Sequence, residues 1–156
     1  MMKNLFLMLG IVAHFVLVGA DIFGQIVISP VVLSAPPESL TIFQGDYAYN
    51  STVFWQPANM IALALLLLAL ITNWNTPRRS LLLAWLAGSI LITVVSLGFI
   101  FPEYVDIVSV PFDNIVDPQL VDRGADWRVL SFIRMVVFLG IGMLPLYALT
   151  KSDEAG

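Results

Sequence analysis

A chain of 156 residues that is 59% hydrophobic and 12% charged, with a mean hydropathy of +0.91, is too apolar for a water-soluble domain and falls in the membrane class. Seven Lys and Arg against eleven acids, a net charge of −4, argue against nucleic acid as a partner, because phosphate binding needs clustered cations. No cysteine is present, which removes disulfides, thiolate nucleophiles, cysteine-ligated zinc and iron–sulfur clusters.

Hydropathy predicts one domain, 1–156, with four transmembrane helices at about 5–28, 53–74, 80–101 and 127–149. Lys3, the apolar Leu5 to Val18 and the small residues Val18, Gly19 and Ala20 have the look of a cleavable signal peptide. The apolar character continues through Ile28, however, and an uncleaved first span is expected, stopped by Pro30. The second span carries Pro57 near its start, where a missing N–H is tolerable. "NWNTPRRS" is a tight turn into the third span, which Pro102 closes, and Pro145 is expected to bend the end of the fourth. Ala20 with Gly24, and Ala84 with Gly88, are small pairs at the spacing that lets helices approach.

Lys3, Arg78, Arg79 and Lys151 would fall on one side of the membrane. Arg123 and Arg128 would fall on the other, with eight acids: Glu38, Asp46, Glu103, Asp106, Asp113, Asp117, Asp122 and Asp126. The positive-inside rule then places both termini in the cytoplasm, in the sense of a bacterial inner (plasma) membrane protein, with Trp55 and Trp127 at the outer interface. The two outer loops, Pro30 to Thr52 and Pro102 to Asp126, exceed twenty residues and are too long to be mere connectors. The expected architecture is an all-α integral membrane four-helix bundle with both termini cytoplasmic and two long outer loops.

The functional question is set by Arg134, about 10 Å below the outer interface at 1.5 Å per residue. An unpaired guanidinium at membrane depth costs about 3 kcal/mol on insertion scales and so demands a partner. At the same level the other helices offer Asp21, Asn59 and Ser96, and Ser131 lies one turn above Arg134. His14, Asp21 and Gln25 share one helical face, as do Ser89, Thr93 and Ser96. Two readings stand side by side: a buried ion pair that fixes helix register, or an outward-facing pocket. In the second, Arg134, Asp21 and His14 are the candidate catalytic groups and Gln25, Asn59, Ser96, Ser131 and Trp127 the candidate ligand-binding ones. For His14 alone, bonding to a carbonyl or hydroxyl is the expected use. One histidine does not make a metal site, and no metal or cofactor is expected. The sequon Asn50-Ser51-Thr52 and the loop acids carry no specific chemistry, the latter lacking EF-hand spacing. Nucleophile-elbow, P-loop and dinucleotide motifs are absent.

The segments "NSTVFWQPANMIALALL", "IFPEY" and "DWRVLSFIR", the last with Trp127 seven residues before Arg134, make the chain resemble the anthrone-oxygenase-like group of small four-helix membrane proteins. Members of that group often have a histidine where Ser131 stands and an asparagine near Tyr104, so this chain departs from them there. The resemblance implies a four-helix membrane fold and, more weakly, cofactor-independent oxidation or binding of a flat aromatic or quinone-like molecule. In that chemistry Arg134 would stabilise a phenolate or enolate, and Asp21 or His14 would move a proton. The alternative is a non-catalytic accessory subunit of a larger membrane complex, with membrane lipid around it and either another membrane protein or a second copy as partner. Transport would require oligomerisation.

Overall fold

A computed structural model describes residues 2–151. Every regular element among them is helical: α1 (Met2–Phe23), α2 (Ser29–Val32), α3 (Thr52–Thr72), α4 (Arg79–Val95), α5 (Phe101–Val108), α6 (Pro118–Ile141) and α7 (Met143–Leu149), with a 3-10 helix at Glu38–Phe43. Four continuous stretches, Met2–Val32, Thr52–Thr72, Arg79–Val108 and Pro118–Leu149, are long and apolar enough to cross a membrane, at 31, 21, 30 and 32 residues.

Three of these stretches run past the expected ends. Pro30 and Pro102 do not stop their helices, because each follows a π-helical turn, Gly24–Ile28 and Ser96–Ile100. The two turns share one register: the N–H of Ser29 reaches back to the Gly24 carbonyl, the N–H of Phe101 to that of Ser96, and the proline comes next. A proline inside a regular helix lacks an N–H and its ring collides with the carbonyl one turn back; a wider turn just before it relieves that crowding. The loosened carbonyls find other donors. The Ser29 hydroxyl donates to the Gln25 carbonyl at 3.1 Å, and the Trp127 indole N–H to the Ile100 carbonyl at 2.8 Å. The fourth stretch starts nine residues earlier than expected, at Pro118, since proline suits a first helical position. The Asp117 carboxylate caps it by accepting the Gln119 N–H at 2.8 Å. Near its end, α6 and α7 are separated at Gly142, three residues before Pro145.

The chain divides into two compact units, with boundaries after Gly19, Ser51, Ile92 and Met135. The first holds the segments up to Gly19, Thr52–Ile92 and from Val136 on. Its core joins Leu7, Ile11, Leu66, Ala69, Leu70, Leu82, Trp85 and Ala148. Of the two small pairs, Ala84 with Gly88 marks a close approach, a Cβ on Gly88 falling 3.0 Å from the Ile141 side chain. Nothing lies within 4 Å of such an atom on Gly24.

The "NWNTPRRS" turn belongs to this unit and is more than a connector. Arg78 is 4% exposed, and its guanidinium donates to the Lys151 carbonyl through Nε (3.0 Å) and Nη2 (2.8 Å) and to Asn4 Oδ1 through Nη1. Asn73, fully buried, donates its amide to the carbonyls of Ala69 (2.8 Å) and Lys3 (3.3 Å). A cation at a helix C-terminus satisfies carbonyls left without intrahelical donors. Here one side chain ties α1, the turn and the chain beyond α7 together.

The second unit, Ala20–Ser51 and Thr93–Met135, contains both long connections. They pack on each other: Leu40 of the 3-10 helix and Ile107 of α5 are fully buried, with Val32 and Leu33, against Phe43, Val110 and Trp127. Gln44 donates to the Val110 carbonyl at 3.1 Å and the Asp117 N–H to that of Pro36 at 2.9 Å.

Because Arg78 donates in three directions at once, Arg78→Ala is expected to lower stability by about 2–3 kcal/mol, leaving buried acceptors unpaired. Arg78→Lys, with a point charge in place of the planar fork, should recover less than half of that. Thermal unfolding in detergent reads both.

Candidate functional site

Within the second unit the polar face of the first helix meets α6 in antiparallel register. Asp21 and Arg134 pair as expected: Nη2 of Arg134 donates to both carboxylate oxygens, at 2.6 and 2.8 Å, with side chains 7% and 19% exposed. One turn along, Gln25 donates its amide to the Ser131 hydroxyl at 2.6 Å, both residues being buried. Ser29, one turn further, extends the row and turns its hydroxyl back to the Gln25 carbonyl. The i, i+4, i+8 spacing of Asp21, Gln25 and Ser29 is visible in the sequence, and Ser29 could have been read from it.

The packing explains why these groups stand where they do. A charge pair taken out of water is tolerable only when the partners remain together and hydrogen-bonded, since removing one leaves a buried charge worth about 3–5 kcal/mol. The bond uses one nitrogen of the guanidinium, and Nε of Arg134 is buried with no hydrogen-bond partner. That atom is a donor pointing nowhere within the protein, and an oxygen of a bound molecule or a water would satisfy it.

The other candidates are distributed differently. His14 belongs to the first unit, where both ring nitrogens are engaged. Nε2 lies 3.1 Å from the Phe138 carbonyl, and Nδ1 accepts the Trp85 indole N–H at 3.2 Å. A carbonyl takes only a proton donor and an indole N–H needs an acceptor, so the ring is the neutral Nε2–H tautomer. The ring lies against that of Phe138, tilted by 49° with centroids 4.3 Å apart. Asn59, also in the first unit, is exposed and donates its amide to the Trp55 carbonyl one turn back on its own helix, at 2.7 Å. Ser96 lies in the second unit, half-buried, where it opens the π turn. Trp127, half-buried, is a packing residue as well as a donor, its ring 4.8 Å from that of Tyr104. The first helix, with Asp21, Gln25 and Ser29, and α6, with Ser131 and Arg134, thus build a polar ladder in the second unit.

Two surface recesses lie in the second unit. One, of about 380 Å³, is formed by the second long connection with Pro37 and the start of α6. The other, about 430 Å³, is a shallow groove lined by Gln25, Ala125, Arg128, Val129, Phe132 and Ile133. Neither is lined by Asp21 or Arg134. Among the described residues no group of three or more His, Cys, Asp or Glu side chains is placed to hold a metal.

Gly142 is where His14 needs room: a Cβ there would stand 2.7 Å from the imidazole ring. Gly142→Ala is expected to destabilise the protein by about 1–3 kcal/mol through overpacking. His14→Ala combined with it should lose less than the sum of the two single changes, as a double-mutant cycle of melting temperatures would show. Comparison with protein-family models, curated proteins and solved structures finds no match to this chain.

Proposed function

We propose that the chain is a four-span integral membrane protein of a bacterial inner membrane, both termini cytoplasmic, acting as a non-catalytic subunit of a larger membrane assembly. Four apolar stretches of spanning length support the membrane placement, and the Lys and Arg distribution supports its direction. The single observation that carries the subunit reading is that the ionisable groups offered for catalysis are engaged by protein partners. Both oxygens of Asp21 accept from Arg134, and both nitrogens of His14 have protein partners. A general acid or base must have its proton site within reach of a substrate. In this reading the ladder is a register lock between two helices in a solvent that offers little hydrophobic discrimination between packings.

A second reading is favoured by one atom. The unpartnered Nε of Arg134 suits a hydrogen-bond acceptor on an apolar molecule, in line with the anthrone-oxygenase-like resemblance and its aromatic or quinone-like ligands. Oxidation of such a molecule without a cofactor would then start from an anion held by Arg134, with dioxygen as the oxidant.

A charge exchange separates the two. Asp21→Asn alone should cost about 3 kcal/mol in stability, since it strands the guanidinium. A register lock needs opposite charges but not their order, so Asp21→Arg with Arg134→Asp should recover most of the loss. The wild type should also show no saturable quenching of tryptophan fluorescence by anthrones or anthraquinones. Saturable quenching that Arg134→Ala abolishes and Arg134→Lys partly restores would establish the ligand-binding reading instead. Orientation is tested on the cysteine-free background: Tyr47→Cys should react with a membrane-impermeant maleimide in intact cells, and Lys151→Cys only after lysis.

A further inference from the structure

Three arginines belong to the second unit, and two are paired: Arg134 with Asp21, and Arg123 with Glu103 at 2.7 Å. Arg128 is exposed and makes no ion pair among the described residues, although the unit around it is strongly acidic. It stands on the lining of the groove formed with Val129, Phe132, Ile133, Ala125 and Gln25. Ala125, Arg128, Val129 and Phe132 follow one another at helical spacing, so a cation and an apolar strip occupy one face of α6. From Arg128 to Phe132 the rise is about 6 Å. Below the cation the walls are aliphatic and aromatic, with the Gln25 carboxamide as the polar group of the lining. Above it, one turn before Ala125 and about 120° around the helix from Arg128, Asp122 borders the strip; it is exposed and makes no ion pair among the described residues.

From this order of groups we propose that the groove is a binding site for a zwitterionic aminophospholipid of the outer leaflet. Its phosphodiester sits on Arg128, its ammonium faces Asp122, and one acyl chain runs along Val129, Phe132 and Ile133. The charge pattern selects the lipid: a phosphate needs the free guanidinium, whereas an anionic headgroup with no ammonium meets the acid above it with like charge. The volume, about 430 Å³, is in the range of sites that hold one extended small molecule. The inference rests on the membrane placement proposed above. It needs neither catalysis nor the subunit role.

The test uses the full chain purified in mild detergent, delipidated, and titrated in native mass spectrometry with phosphatidylethanolamine, phosphatidylglycerol or inorganic phosphate. One phosphatidylethanolamine per chain should be retained in preference to phosphatidylglycerol, with no retention of phosphate. Loss of one arginine at the membrane surface is worth about fivefold, so Arg128→Gln should weaken retention by that factor. Val129→Trp, which fills the groove and keeps the cation, should weaken it similarly, and unchanged helicity by circular dichroism would show that both variants fold. Equal retention by Arg128→Gln and wild type overturns the site. A preference for phosphatidylglycerol, displacement by inorganic phosphate, or a dimer that excludes lipid each overturns the assigned occupant. Failure of the membrane placement would be seen separately, as extraction of the chain from cell membranes by alkaline carbonate without detergent.

Discussion

A guanidinium buried in an apolar helix face has few places to go, and much of the second unit follows from where it went. Arg134 finds the Asp21 carboxylate, and that contact sets the pairing of the first helix with α6: Asp21 opposite Arg134, Gln25 opposite Ser131, Leu33 beside Gly124. The sums of paired residue numbers stay nearly constant, as antiparallel helices require. Apolar surfaces alone would allow the helices to slide past each other by a turn at little cost, because apolar attraction is non-directional and one leucine contact is much like another. A charge pair allows one position. Its energetic weight comes less from the attraction gained than from the penalty for any arrangement that separates the partners.

The first unit solves the same problem with neutral and terminal groups. His14 is clamped between a carbonyl and an indole N–H, and the acceptors of the Arg78 guanidinium among the described residues are the Lys151 carbonyl and the side chains of Asn4 and Asn73. Both are buried polar side chains, and each ring or guanidinium nitrogen has a partner. Specificity in a chain this apolar is carried by a handful of directional contacts, while burial of leucine and tryptophan supplies adhesion without much preference.

What could be read from the chain and what could not divide along physical lines. The four spans and the Asp21–Arg134 pair were legible, because spanning length and the isolation of a charge in an apolar run are strong one-dimensional signals. The helix ends were not. Proline reads as a stop, and the two π turns that let Pro30 and Pro102 pass leave no mark in the hydropathy or the residue spacing. The convergence of four helices on one level was inferred by counting residues from assumed interfaces; of the residues so chosen Asp21 and Arg134 pair, and Asn59 donates to its own backbone. Arg78 was read as a topogenic charge, and nothing local announces that its partners are residues seventy positions away in either direction. The free Arg128 was likewise unremarkable until its neighbours showed that no carboxylate had claimed it.

The paired wide turns also alter how the chain must be drawn. Each holds about one residue more than an ordinary turn, so the face presented beyond it is rotated by about 100° from that extrapolated along the preceding helix. A helical wheel continued through Gly24–Ile28 would set Val32 in line with Asp21 and Gln25; beyond the wide turn Leu33 takes that line, beside Gly124 of α6. The surplus residue acts as a phase corrector, bringing the segment after Pro30 onto Leu40 and Ile107. Excising one position there would leave helix content nearly unchanged and turn the wrong side of the chain toward the loops.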